Sequence, residues 1–186
     1  MVDLQPVLSN EIVTLTPLEE SDYAALYSAA SDPDIWIQHP NPERYREEVF
    51  QTFFRHAVES GGAFAISDNA NGVIIGSSRF YNLNEESDSV FIGYTFFRRA
   101  YWGGRYNYST KMLMLDYIFQ YVGKVFFHIG KVNLRSRFSI ERLGAKFVRE
   151  IEVEYAGEAI RPNFEYCIEK EQWSLIRANI LHRMKG

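Results

Sequence analysis

The sequence predicts a mixed α/β fold, and two observations support this prediction. Strand-like and helix-like segments follow one another along the chain in the order β, α, α, β, β, β, α, β, α, β, β, α. Of the 186 residues, 46% are hydrophobic and 16% aromatic, which is enough to fill a sizeable core. Because no repeat, low-complexity segment or linker interrupts this pattern, we expect a single domain over residues 1–186.

The first half of the chain predicts two helices and three strands. Residues 11–18 alternate in polarity as a strand does, and Ser21 and Asp22 are candidate caps of a first helix. An apolar stripe predicts a second helix from Pro42 to about Glu59. Asn71-Gly72 separates two strand-like runs, which indicates a hairpin because both residues tolerate positive φ.

The second half predicts four strands and three helices. Gly144 follows the second of these helices, where a glycine is a natural helix end. The predicted strands are 89–97, 125–132, 145–155 and 164–169, and the predicted helices are about 106–122, 134–143 and 171–184.

Composition argues against several classes of protein. No apolar run reaches the roughly 18 residues that a membrane span needs. The N-terminus lacks the basic and apolar blocks of a signal peptide. The single cysteine, Cys167, excludes an internal disulfide and a multi-cysteine zinc site. We therefore expect a cytoplasmic protein with no metal and no membrane partner.

Charge is unevenly distributed, although the net charge is only −4. Residues 1–60 contain eleven acidic and three basic side chains, whereas residues 98–149 contain eleven basic and two acidic ones. A basic stretch of this kind indicates a polyanionic ligand, and a solvated surface is the alternative interpretation. Nucleic acid is a poor candidate, because the whole chain is acidic and apolar positions interrupt the basic residues.

A glycine turn lies inside the basic stretch. The sequence YWGGRYNYSTKMLML, residues 101–115, places Gly103 and Gly104 between a strand and a helix. Amides at a helix start carry partial positive charge and have no internal partner, and glycine allows close approach of a ligand. The turn therefore favours phosphate, with a plain tight turn as the alternative. Four nearby cations add positive charge: Arg98, Arg99, Arg105 and Lys111.

The element order and two motifs resemble the GNAT acetyltransferases, in particular their RimJ/RimL-like branch, which acetylates protein N-termini and related amines. The motifs are IGYTFFRRAYWGGRYN at 92–107 and NLRSRFSIERLGA at 133–145. The resemblance covers nearly the whole chain, from residue 15 to the helix of Trp173. It implies a mostly antiparallel central sheet flanked by helices, with a splay between the fourth and fifth predicted strands.

The resemblance implies acetyl-CoA as co-substrate. The pantetheine arm would bind the edge of the fourth strand, and Asn133 would hydrogen-bond it or serve as a helix N-cap. Arg105 departs from the family's Gly-x-Gly or Gly-x-Ala pattern, so its side chain must point away or reach a phosphate. The strand-edge residues are Thr95, Phe96, Phe97 and Arg98, and the pyrophosphate would bind the amides of Gly103, Gly104, Arg105, Tyr106 and Asn107.

Direct acetyl transfer in a ternary complex needs a base for the acceptor ammonium and a donor for the leaving thiolate. The tyrosine acid of many relatives is replaced here by Ile140. Ser136 matches the serine of the RimL-like branch and is the predicted thiolate partner, with capping of the first helical turn as its alternative role. Glu154 is the predicted base, and His128, Tyr94 or a water relay are alternatives.

The expected acceptor is a primary amine, either a peptide N-terminus or a small molecule. The acidic first third is expected to form one wall of the acceptor groove and to favour a cation. Residues 31–45 and 155–163 are the expected recognition loops, where Trp36 is either a rim residue or a packing anchor. An exposed Trp173 would support a homodimer. A non-catalytic acyl-CoA sensor or interaction module is the alternative function, since the tyrosine acid is absent.

Overall fold

A computed structural model describes residues 2–155 and 158–185 of the chain. The strands are β1 (Leu8–Ser9), β2 (Val13–Pro17), β3 (Ala63–Asp68), β4 (Ile74–Asn84), β5 (Ser89–Phe97), β6 (Lys124–Gly130), β7 (Lys146–Val153) and β8 (Arg161–Glu169). The α-helices are α1 (Tyr23–Ala30), α2 (Glu47–Glu59), α3 (Arg105–Ile118), α4 (Leu134–Leu143) and α5 (Lys170–Lys185). Short 3-10 helices lie at Glu20–Asp22, Pro33–Ile35, Pro42–Tyr45 and Arg99–Tyr101. No described helix is long and apolar enough to cross a membrane.

The strands form one sheet in the order β1-β2-β3-β4-β5-β6-β8-β7. Neighbouring strands are antiparallel except for β5 and β6, which run parallel. The predicted mixed, mostly antiparallel sheet with flanking helices is therefore confirmed. The two-residue β1 escaped prediction because so short a segment carries no periodicity, and it makes the predicted fourth and fifth strands β5 and β6.

Two predicted details differ from the structure. The second helix does not begin at Pro42: Asn41 caps a 3-10 turn over Pro42–Tyr45, Arg46 is extended (φ −76°, ψ 135°), and α2 begins only at Glu47. In the β3–β4 turn, Gly72 has positive φ (71°) but Asn71 does not. Both differences concern local backbone geometry, which an apolar stripe or a turn dipeptide does not specify.

The core has two parts, one on each face of the sheet. Alternation along β3 divides its side chains, so that Phe64 and Ile66 join one cluster and Ala63 and Ala65 the other. Helices α3, α4 and α5 contribute apolar residues to the first cluster, and α1 and α2 contribute to the second. Helices thus cover both faces of the sheet, and ligand access is left to places where neighbouring strands separate, which we call seams.

The most important seam lies between β5 and β6. These strands pair only over Ser89–Phe91 and Lys124–Phe126, and then separate. On its other side, β5 bulges against β4, since the register shifts between Ser77 and Arg79. Tyr94 lies at this bulge with φ 54°, a left-handed conformation that is uncommon for a non-glycine residue. The predicted splay is therefore present, and a bulge lies beside it.

Trp173 is not exposed, contrary to the sequence-based expectation. Its side chain is only 7% exposed, packs 5.9 Å from the Phe119 ring and donates from Nε1 to Asp116 Oδ1 (2.8 Å). Asp116 also accepts from Arg177 Nε (2.9 Å). Trp173 therefore fixes α5 onto α3 within the chain and offers no aromatic surface for a second copy.

We expect Trp173→Ala to lower the free energy of unfolding by about 3–5 kcal/mol, because it removes a large buried side chain and leaves a cavity. Trp173→Phe, which keeps most of the packing but loses the bond to Asp116, should cost about 1–2 kcal/mol. Urea denaturation measures both values. The control is Leu175→Ala on the same helix, whose side chain is 70% exposed and should change stability by less than about 0.5 kcal/mol. Equal losses for Trp173→Ala and Leu175→Ala would contradict this role.

Candidate active site

A cleft of about 220 Å³ opens where β5 and β6 separate. Its walls come from these two strands, from the starts of α3 and α4, and from the segment around residues 35–44. Of the predicted site residues, those that line the cleft are Thr95, Phe96, Phe97, Gly103, Gly104, Asn107, Asn133 and Ser136. Those that do not line it are Arg98, Arg105, Tyr106 and Glu154.

The glycine turn lies at the mouth of the cleft. Gly103 and Gly104 have φ values of 109° and 102°, which L side chains rarely adopt. In the described part of the chain, none of the amides from Gly103 to Asn107 donates to a protein acceptor, and the first helical bond runs from Tyr108 N to Gly104 O (2.7 Å). The start of α3 therefore has donors still available, a geometry that favours an anion.

The four predicted cations do not all face this turn. Arg99 pairs with Asp32 (Nε to Oδ2, 3.0 Å) and with Asp34, and Lys111 is buried. Arg98 donates from Nη2 to Ser28 Oγ (3.0 Å). Positive charge near the turn therefore comes from the backbone amides, the exposed Arg105 and Arg135, whose guanidinium lies 3.9 Å from the centroid of the Trp102 ring.

The edge of β5 is partly used within the chain. On the side that faces β6, Trp102 donates from Nε1 to the Phe97 carbonyl (3.0 Å). The Arg98 amide faces the opposite side, since it donates to the Ile75 carbonyl of β4 (2.7 Å). Main-chain groups alternate between the two sides of a strand, so an extended ligand in the cleft would have its partners at Thr95 and the Phe97 amide rather than at Phe96 or Arg98.

The start of α4 forms the facing wall. Asn133 caps this helix, since its Oδ1 accepts from the Ser136 amide (3.1 Å). Within the described residues, neither Asn133 Nδ2 nor the Ser136 hydroxyl has a protein partner. The cap role of Asn133 therefore leaves its amide donor available to a ligand. Asn107 Nδ2 donates to Ser139 Oγ (2.9 Å) and joins the two helix starts across the cleft.

The structure does not bring Glu154 to the cleft. Its side chain is exposed just beyond the end of β7, and the next residue, Tyr155, turns inward and lines the cleft. His128 does line it, on β6, with Nε2 2.9 Å from Glu165 Oε2. Glu165 also accepts from Arg149 Nε (2.9 Å), and bonds from His128 and Arg149 hold its pKa below the usual value against the opposing effect of burial.

The expected acidic wall is absent. The residues of the first third that line the cleft are Ile35, His39, Pro40 and Arg44, and no described carboxylate lines it. Burial and the charges of Arg44 and Arg135 lower the pKa of His39 to about 3, so it is neutral. Trp36 is fully buried and donates to the Ala30 carbonyl (2.7 Å), so it is a packing anchor and not a rim residue.

The two expected recognition loops meet at an ion pair. Arg44 donates from Nη2 to Glu158 Oε1 (2.6 Å), so residues 31–45 and the described part of 155–163 are joined. Residues 156–157 of the second loop lie outside the described residues. This pair fixes the wall at the end of the cleft away from the glycine turn.

The geometry agrees with the family comparison. A model of the acetyltransferase (GNAT) domain matches residues 13–146. The chain belongs to the GNAT acetyltransferase family. It is therefore an acyltransferase of the class that takes acyl groups from acetyl-CoA.

Solved structures share this fold. A GCN5-related N-acetyltransferase from Brucella melitensis superposes with a TM-score of 0.84 at 16% identity, over 96% of this chain and 85% of that one. Mycobacterium smegmatis RimJ in complex with CoA-disulfide superposes with a TM-score of 0.73 at 17% identity, over 96% of this chain and 93% of that one. A proposed ribosomal-protein-serine acetyltransferase from Vibrio cholerae superposes with a TM-score of 0.73 at 10% identity, over 90% of this chain and 99% of that one. These superpositions show that the neighbours have the same fold as this chain.

Lys111 is a site residue that the sequence analysis misplaced. Its amine lines the inner part of the cleft in this GNAT chain and donates to Thr95 Oγ1 (2.6 Å) and Ser78 Oγ (3.2 Å). Burial lowers its pKa to about 7. The sequence did contain a signal for this burial, because Lys111 lies on the same face of α3 as Leu115 and Ile118, which are both buried.

We expect Lys111 to make stability depend on pH. Its folded pKa of about 7 lies below the unfolded value of 10.5, so the unfolded chain binds more protons between these limits and stability rises with pH there. Relative to Lys111→Met, the wild type should gain about 2 kcal/mol of unfolding free energy from pH 7 to pH 9. Urea denaturation at both pH values measures this. Lys146→Met, which removes an exposed lysine, is the control. If the difference in unfolding free energy between wild type and Lys111→Met were the same at pH 7 and pH 9, the burial of a neutral amine would be refuted.

Proposed function

We propose that this chain is an N-acetyltransferase that moves the acetyl group of acetyl-CoA to a primary amine by direct attack in a ternary complex. The observation that carries the proposal is the set of unpartnered amides from Gly103 to Asn107 at the mouth of a cleft bordered by an unpaired strand edge. A protein N-terminus is the preferred acceptor, because the structural neighbours include RimJ and a proposed ribosomal-protein-serine acetyltransferase. A small amine is the second possibility.

The described residues fit acetyl-CoA as a substrate. The amides of Gly103, Gly104, Arg105, Tyr106 and Asn107 would bind the pyrophosphate, and the two glycines keep side chains out of its way. Since Arg105 is exposed, its side chain can point away from the turn or contact a phosphate.

The strand edge and Asn133 would hold the pantetheine arm. Main-chain groups of Thr95 and the Phe97 amide would bond to it, and Asn133 Nδ2 would add a side-chain donor. Phe96 and Arg98, also expected at this edge, contribute less because their main-chain groups face β4.

Ser136 and His128 would carry the proton transfers. His128 donates from Nε2 to Glu165, which leaves Nδ1 as the basic nitrogen that accepts a proton from the acceptor ammonium. The neutral amine then forms the new N–C bond as the C–S bond breaks. The proton that the new amide nitrogen loses passes through the Ser136 hydroxyl to the leaving thiolate, so that free CoA leaves as the thiol. This assignment replaces Glu154 by His128, because only His128 lines the cleft.

We expect Gly103→Ala to raise the Kd for CoA about tenfold. An alanine at φ 109° costs about 1–2 kcal/mol, which the turn relieves by rotating its amides away from the ligand. A Cβ at this position meets no atom within 4 Å, so steric exclusion inside the protein is not involved. Gly72→Ala is the matched control, because it has φ 71°, equally open surroundings and a place outside the cleft. Calorimetric titration with CoA measures both; equal affinities would oppose phosphate binding at the turn.

We expect His128→Gln and Ser136→Ala each to lower kcat by about a hundredfold, since each removes a proton-transfer group. Glu154→Gln should change kcat by less than about twofold. Thiol release from acetyl-CoA in the presence of an N-terminal peptide library measures the rates, and CoA titration and thermal unfolding check that each variant binds and folds. If Glu154→Gln had a much lower kcat and His128→Gln had the kcat of the wild type, Glu154 and not His128 would be the base.

A further inference from the structure

A second cavity lies behind the end of the cleft at Arg44, where the acceptor amine would bind. Its volume is about 30 Å³, and we call it the side chamber. Arg44, Tyr94 and Tyr155 line both the chamber and the cleft, so the two cavities adjoin at these side chains. The remaining lining residues are Val49, Phe53, His56, Arg79 and Glu158.

Arg79 is a buried cation without a counterion. Its side chain belongs to a residue only 6% exposed, and its Nε has no hydrogen-bond partner in the described part of the chain. The guanidinium lies 4.0 Å from the centroid of the Tyr94 ring, and no described carboxylate forms an ion pair with it. A buried charge that lacks both partner and hydrogen bonds is costly, so its retention needs an explanation.

The other charges in the chamber do not neutralise Arg79. Glu158 uses Oε1 to accept from Arg44 Nε (3.0 Å) and Nη2 (2.6 Å). Its Oε2 is buried and has no donor among the described residues, so Arg79 is not bonded to it. Two guanidinium groups and one carboxylate leave the chamber with one excess positive charge.

We propose that the side chamber is a carboxylate subsite for the acceptor. The ligand it would take is the side chain of an aspartate or glutamate within the first two residues of a peptide N-terminus. A volume of about 30 Å³ holds about two waters, close to the size of a carboxylate group. The planar guanidinium of Arg79 matches a carboxylate in shape and charge, and the Tyr94 ring holds it in place.

This inference rests on the proposed function and refines its acceptor. The absence of any described carboxylate along the cleft supports it, because an acidic peptide would meet no like charge on its way in. The nearest such charge, Glu158, is already held by Arg44. The amine would remain in the cleft beside His128 while the neighbouring acidic side chain enters the chamber.

The test uses two pairs of peptides that are identical except for glutamate or glutamine, at the first position in one pair and at the second in the other. With wild-type protein, kcat/KM should be at least tenfold higher for the glutamate peptide than for the glutamine peptide in at least one of the two pairs. Arg79→Met should bring this ratio close to one. Arg55→Met, which removes an exposed cation on α2, should leave the ratio unchanged.

The outcomes separate the two proposals. Equal kcat/KM values for the glutamate and glutamine peptides would overturn the subsite, indicating that the chamber holds only water, while acetylation of both would leave the proposed function standing. No acetylation of any peptide by protein that binds CoA would overturn both for peptide acceptors. If Arg79→Met does not fold, Arg79→Lys is used; it keeps the charge but loses the planar fork, so the ratio should fall at least threefold, and an unchanged ratio would overturn the role of Arg79.

Discussion

The separation of β5 from β6 is the constraint on which the rest of the site depends. Past Phe91 and Phe126 the parallel ladder stops. From there on, each strand is paired only on its outer side among the described residues, β5 with β4 and β6 with β8. Unpaired strand edges are normally avoided in proteins, because their donors and acceptors recruit other chains. Here the edge lies in a cleft, where an extended ligand can bond to it while bulky protein strands cannot follow.

A buried polar cluster lies beside that separation. The bulge at Tyr94 turns the end of β5 out of the regular ladder, and Ser78 and Thr95 bond across it (2.8 Å). Lys111 donates to both hydroxyls from α3, so the helix that begins at the glycine turn is tied to the strand edge. Because the amine is buried, its neutral form is favoured, and the cluster avoids the full cost of a desolvated charge. The cleft therefore gains a rigid inner wall that links its two presumed binding surfaces, the strand edge and the helix start.

Electrostatics divides the cleft into two ends. At one end, the start of α3 supplies main-chain donors that have no acceptor among the described residues, and Asn107 joins it to Ser139 of α4. At the other end, Arg44 lines the cleft and Arg79 lies behind it in the side chamber, each beside an aromatic ring, and Glu158 is the described carboxylate that pairs with Arg44. His128 and its partner Glu165 stand between the strands, where a proton acceptor would be needed for amine chemistry. His128, the proposed base, thus lies in the cleft between two positive regions.

The sequence by itself determined the element order, the glycine turn, helix α4 with its Asn133 cap and Gly144 end, and the family motif around them. These features depend on local rules, since turns, caps and periodicity involve residues close together in the chain. The tertiary structure decided where distant charges lie. It buried Lys111, paired Arg99 with Asp32, kept Glu154 in solvent, and brought Arg44 to Glu158 although 114 residues separate them. Such long-range placement depends on how layers pack and where the sheet opens, and no count of acidic or basic residues along the chain contains that information.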